Sequence, residues 1–128
     1  MDDEGNIATA VYHCNMDTGK LRSQGNFIIS NDVPSLHPNS GIAAVVLGQQ
    51  GYRVYYHDND GAINELAYID KGWRYRGTIS SDINALPALA AAYSGTENIT
   101  VASSRDEWNI AVTKWNRDGT WFRCTPLP

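Results

Sequence analysis

Residues 41–80 read GIAAVVLGQQGYRVYYHDNDGAINELAYIDKGWRYRGTIS. Runs rich in Val, Ile and Tyr, at 41–48, 52–57, 62–69 and 73–80, are separated by Gln49-Gln50-Gly51, Asp58-Asn59-Asp60-Gly61 and Asp70-Lys71-Gly72. β-branched and aromatic residues favour strands. Gly, Asn and Asp tolerate the backbone angles of tight turns. The stretch therefore predicts four short strands joined by hairpins.

The pattern recurs. Ala43 and Ala90 stand 47 positions apart, Arg53-Val54-Tyr55 stands 47 before Thr100-Val101-Ala102, Ile63 stands 47 before Ile110, and Trp73 stands 48 before Trp121. A weaker copy opens the chain, where Glu4–Tyr12 aligns with Asp60–Tyr68 and Gly25–Ser30 loosely with Gly77–Ser80. Its extra length falls in two loops, Asn15–Gly19 and Asn31–Ser40. A period in the mid-forties with four strands per unit marks a β-propeller blade. The expected architecture is all-β: a half blade over 1–30, a full blade over 41–80 and a second full blade over 85–125. Ala85–Tyr93 has the alanine content of a helix. Pro87 lies inside it, however, and its counterpart at 42–47 is Val-rich, so a strand is predicted. Small side chains also suit the innermost strands of sheets that converge on one axis. Two and a half blades cannot close a ring, which takes four or more. The chain is expected either to complete the propeller as a homo-oligomer or to be a piece of a longer protein, and its opening in mid-blade favours the second.

Composition narrows the function. The chain has 128 residues, 42% hydrophobic and 19% charged, as in one folded domain. Its net charge of −4 argues against nucleic acid or an anionic membrane surface as partner, since both need a basic face. No apolar run approaches the length of a membrane span. Met-Asp-Asp-Glu at the start lacks the basic and then apolar stretch of a signal peptide, so no export address is expected and the compartment stays open. Cys14 and Cys124 form no C-x-x-C pattern and are expected as unpaired thiols, with no cofactor. His13, His37 and His57 lack metal-ligand spacing and are expected to be solvated or to flank turns. Asp58–Gly61 begins like a calcium loop, but no Glu follows at the required spacing, so a hairpin turn is the reading and no metal is expected. Asp118-Gly119-Thr120-Trp121 approaches a sialidase Asp-box yet lacks the residue between Asp and Gly. Four Trp and seven Tyr against two Phe suit a surface for a half-polar ligand.

The hairpin Gly51–Leu66 holds the sharpest candidate. A turn centred on Asn59 places Arg53 directly opposite Glu65, on one sheet face. One reading is a surface cross-strand ion pair worth about 0.2–1 kcal/mol. The other is a binding pair: an Arg fork offers planar donors, a carboxylate offers acceptors, and together they match vicinal hydroxyls of a sugar. The repeat carries Thr100 and Val112 at the same two positions of the third unit, and Thr9 at the Glu position of the first. The scaffold therefore does not require the charge pair.

Arg-Val-Tyr-Tyr-x-Asp-x-Asp-Gly-x-Ile-x-Glu-Leu, preceded by Ile-Ala-Ala-Val and followed by Gly-Trp, resembles the blade repeat of the fungal fucose-specific lectins of the Aleuria type. Small bacterial two-blade relatives share the pattern. The resemblance is strong over 41–80 and weak over 1–30. It implies a six-bladed propeller, closed by trimerisation in the two-blade forms, that binds fucose in clefts between blades. It further implies that Arg53 and Glu65 bond the sugar while Trp115 and Trp121 of the next blade pack on its apolar face. Inter-blade packing is the plain reading of those two tryptophans. A preceding cleft would combine Tyr68 and Trp73 with Thr9 and so looks like a degraded second site. Thr100 and Val112 depart from the pattern, so a cleft beyond the last blade should bind fucose poorly. The leading expectation is a non-catalytic lectin for fucose-containing glycans. The rivals are an enzyme on the same scaffold and a truncated fragment without activity.

Overall fold

The computed structural model describes residues 7–15, 17–28, 33–81, 88–95, 98–104, 110–116 and 118–124. The described residues are all-β apart from one 3-10 turn at Gly48–Gln50. None of their helices is long and apolar enough to cross a membrane. Residues 1–33 and 34–128 form two compact units. In the first, β1 (Ala8–Cys14) pairs antiparallel with β2 (Leu21–Ile28). Asn15 caps their turn, its Oδ1 accepting the backbone N–H groups of Asp17 and Thr18 at 3.0 Å.

The second unit holds two four-stranded antiparallel sheets. One is β3 (Ile42–Val46), β4 (Tyr52–His57), β5 (Ile63–Ile69) and β6 (Gly72–Ser80). The other is β7 (Leu89–Ser94), β8 (Asn98–Ser104), β9 (Ile110–Trp115) and β10 (Trp121–Arg123). The Ala-rich run thus carries a strand from Leu89, and 85–87 lie outside the described residues. The 47-residue repeat is also a repeat of register. Val45↔Arg53 and Val54↔Leu66 in the first sheet become Ala92↔Thr100 and Val101↔Thr113 in the second.

The register corrects one expectation. Arg53 pairs with Ala67, and Glu65 pairs with Tyr55. Arg53 and Glu65 share a face but sit diagonally rather than directly opposite. The cause is the turn. Asp58 and Ala62 close a three-residue loop, with Asp58 N–H donating to the Ala62 carbonyl at 3.0 Å and Gly61 N–H donating to the Asp58 carbonyl at 2.9 Å. Gly61 takes φ 80°. This is a type I turn followed by a left-handed residue, which shifts the pairing away from a turn centred on Asn59. The Asp58 carboxylate fixes the loop by accepting the N–H groups of Asp60 and Ala62 through Oδ1 and the Asn64 amide through Oδ2.

Apolar burial joins the sheets. Val45, Leu47, Tyr55 and Ile63 of the first meet Ile99 and Val101 of the second, with Tyr93, Trp115 and Trp121 packed around them. Each fully buried side chain of this size contributes roughly 1.5–3 kcal/mol. On the outer end of β4, residues 34–40 form a strap. Tyr56 Oη donates to the Pro34 carbonyl at 2.9 Å, His37 N–H donates to the His57 carbonyl at 2.9 Å, and His57 N–H donates to Ser40 Oγ at 2.8 Å. His57 flanks the turn as expected, but the strap buries it, so it is not solvated. Burial and the nearby His37 hold its imidazole below the ordinary value, against a smaller opposing pull from Asp58.

Gly51, between the 3-10 turn and β4, has φ 90° and ψ −147°. That region is open essentially to glycine alone. A Cβ there would also run into the Tyr68 carbonyl. Gly51→Ala should lower unfolding stability by at least about 3 kcal/mol, the upper end for a strained backbone, since steric overlap adds to the strain. Gly48→Ala, at φ 61° with open space around it, should cost only about 1–2 kcal/mol. Urea midpoints of the two variants check the contrast.

Candidate functional site

Strand alternation sorts the β4–β5 side chains. Arg53, Tyr55, Ile63 and Glu65 point to the face that meets the second sheet, while Tyr52, Tyr56 and Tyr68 point to the other. On the inner face a cavity of about 40 Å³ opens between the sheets. Leu47, Gln50, Arg53, Glu65 and Arg76 line it from the first sheet, and Tyr93, Ile99 and Trp115 from the second. Three of the four residues singled out in the sequence thus meet at one place. Trp121 does not line the cavity. Its ring stands edge-on to Tyr55, with centroids 5.9 Å apart and planes at 81°, and supports the site from beneath.

Glu65 is 6% exposed. A buried carboxylate needs hydrogen bonds or an opposite charge. Tyr55, wholly buried and directly opposite, supplies the bond: its hydroxyl donates to Glu65 Oε2 at 2.8 Å. Burial pushes the Glu65 carboxyl above its ordinary value, and the Tyr55 hydrogen bond and the charges of Arg53 and Arg76 pull it back. Burial, and then the neighbouring Glu65, hold the Tyr55 phenol far above the usual tyrosine range, so it remains a donor. Arg53 anchors its guanidinium on its own hairpin, with Nη1 donating to the Tyr52 carbonyl at 3.0 Å and reaching that of Gln50 at 3.5 Å. Among the described residues its other donors meet no hydrogen-bond acceptor. The site therefore presents a cationic fork, a half-shielded carboxylate oxygen and an indole face.

The sequence missed Leu47, Gln50, Arg76, Tyr93 and Ile99 of this lining, and Tyr55 behind it. Tyr55 follows from the three-residue turn, which the Asp-Asn-Asp-Gly signature could have supplied. Tyr93 follows from strand alternation in β7. Arg76 follows from alternation in β6, counted from Trp73 opposite Tyr68. A wider depression of about 620 Å³ lies between the turns 48–53 and 68–71 and shares Gln50 and Arg53 with the cavity. Its lining is open turn rather than converging buried groups. Tyr68 and Trp73 pair across β5 and β6 with ring centroids 5.3 Å apart, and Tyr52 lies 5.7 Å from Tyr68. Thr9 belongs to the separate N-terminal hairpin, where it pairs with Phe27.

The chain is similar to the solved structure of a fungal lectin, that of Aleuria aurantia, described as a six-bladed β-propeller with a novel mode of fucose recognition. The TM-score is 0.66 and the identity 21%, over 97% of this chain and 36% of that one. The chain thus spans about a third of that structure's length. The likeness shows the fold: the four-stranded sheets are β-propeller blades. No protein-family model and no curated protein matches the chain.

Removing the Tyr55 hydroxyl removes one of the interactions that hold the Glu65 carboxyl down. In Tyr55→Phe the carboxyl should titrate at higher pH than in the wild type, read from its side-chain ¹³C shift. The sign for stability follows. Folding raises the affinity of Glu65 for its proton, so its contribution is full below the unfolded carboxyl value and is lost as pH rises through the folded one. Tyr55→Phe should widen that window of loss, and Glu65→Gln should abolish it.

Proposed function

We propose that the protein is a non-catalytic saccharide-binding module that takes L-fucose, or a fucosylated glycan, at the cleft between its two four-stranded blades. The observation that carries this is the meeting of Arg53 and Glu65 of one blade with Trp115 of the next in a single cavity. A sugar ring has hydroxyls on its edge and C–H groups on its faces. Arg53 supplies donors and Glu65 acceptors for the hydroxyls, and the Trp115 ring takes the apolar face. The cavity has room for one methyl- or water-sized group. The ring then docks at its mouth with one substituent inserted, which suits a methyl sugar. The fucose recognition stated of the Aleuria lectin supports the choice of sugar.

Trp121 serves this site by packing on Tyr55, which in turn orients Glu65. The first repeat unit carries Thr9 at the Glu65 position and so lacks this acceptor. Hydrolysis of glycosides generally needs two carboxyl groups flanking the bond. Glu65 is the only carboxylate among the described residues lining the cavity, which favours binding over an enzymatic reading. One small cleft binds weakly, and further copies of the chain would complete the ring and multiply the clefts.

Titration calorimetry with methyl α-L-fucoside, with methyl α-D-galactoside as control, tests the proposal. Wild-type protein should bind the fucoside selectively, and Arg53→Ala should lose at least tenfold in affinity at an unchanged thermal midpoint. Equal fucoside affinity in Arg53→Ala would refute the site.

A further inference from the structure

Two guanidinium groups, not one, border the cavity that Glu65 lines, and the second comes from β6. Along β5 and β6 the register shifts between Glu65 and Leu66, with Glu65 opposite Gly77 and Leu66 opposite Tyr75. Arg76 is the extra residue of this bulge. Gly77 takes φ 108°, a conformation that glycine adopts without strain. Counted from Trp73 opposite Tyr68, strict alternation along β6 already carries Arg76 to the Glu65 face, and Arg76 lines the inter-blade cavity. The bulge adds Gly77 at the same place, so no second side chain crowds the carboxylate. In the other blade, the described pairing Trp121↔Trp115 to Arg123↔Thr113 runs without a shift.

The second arginine exceeds what a neutral sugar needs. Arg53 and Glu65 already supply a donor fork and an acceptor for hydroxyls. Arg76 is exposed, and among the described residues no ion pair joins either guanidinium to Glu65, which is hydrogen-bonded by Tyr55 instead. Among the described residues the mouth of the cavity therefore carries two cations against one carboxylate, whose ionised form burial disfavours. This local positive excess sits on a chain of net charge −4, so it does not reflect a generally basic surface. A guanidinium is a planar fork suited to bidentate capture of carboxylate or sulfate oxygens.

We infer that this cleft selects an acidic saccharide, a sugar ring bearing a carboxylate or a sulfate ester, and that Arg76 is the residue that reads the negative charge. The inference rests on the saccharide reading of the same cleft.

Calorimetry with four kinds of probe tests it: methyl α-L-fucoside, its 3-O- and 4-O-sulfates, and methyl α-L-galactopyranosiduronate, in which a carboxylate replaces the fucose methyl group. The sulfates and the uronate separate the two sources of charge. Wild-type protein should bind at least one acidic probe tenfold or more tightly than the neutral fucoside at low ionic strength. The ratio should shrink as salt is added, since exposed charges are screened. Arg76→Gln should bring the acidic-to-neutral ratio to within about twofold of unity, and Arg76→Lys should retain part of it. Wild-type affinity for the neutral fucoside equal to or above that for every acidic probe would overturn the inference alone. So would an undiminished ratio in Arg76→Gln. Absence of binding to all four probes would overturn the saccharide reading and the inference with it.

Discussion

A carboxylate taken out of water must be given partners, and Glu65 shows how this protein meets that demand. Tyr55 lies directly across from it and donates a 2.8 Å hydrogen bond to one oxygen. Tyr55 is itself fixed, wholly buried in the apolar seam between the blades and flanked by the Trp121 ring. The seam that joins the two blades is thus also what orients the acceptor. A loss of packing at Ile99 or Val101 would reach the site through Tyr55 without touching any residue that lines the polar part of the cavity.

The blade architecture could be read from the sequence because it is written twice. Spacing of 47 residues recurs in the pairing itself, from Val54↔Leu66 to Val101↔Thr113, since the path from β3 to β5 and that from β7 to β9 spend the same number of residues; the next turn is one residue longer in the second blade, which sets Trp73 and Trp121 48 apart. That Arg53 and Glu65 should face Trp115 was implied by the resemblance to the Aleuria-type repeat, carried over by position, and the three residues line one cavity. Local backbone details were harder. One left-handed glycine, Gly61, lengthens the β4–β5 loop and moves the partner of Glu65 from Arg53 to Tyr55. Arg76 is a different case: alternation along β6, counted from Trp73 opposite Tyr68, puts it on the Glu65 face, so it was legible but unread. The change at Gly61 comes from a single residue's φ angle, which period-2 patterning cannot encode. His57 flanks the turn, one of its two expected placements, but its burial comes from the strap of residues 34–40, which lies outside the repeat.

The same comparison shows where the repeat has been varied. Thr100 and Val112 occupy the Arg53 and Glu65 positions in the second blade, and Ala102 stands where Tyr55 does. The acceptor, its hydrogen-bond donor and the cationic fork differ together, while Val101 and Ile99, on the face of that blade that meets the first, are apolar and buried. In the first blade packing and cleft chemistry share one face, where Tyr55 and Ile63 stand beside Arg53 and Glu65.

The central claim is that a saccharide sits between the polar pair of one blade and the indole of the next. The indole N–H signals in a ¹H–¹⁵N spectrum, followed during titration with methyl α-L-fucoside, test it most directly. The account predicts a saturable shift of the Trp115 signal, with the Trp73 signal unmoved because its ring is paired with Tyr68 on the opposite face. A titration that moves Trp73 and leaves Trp115 in place would contradict it.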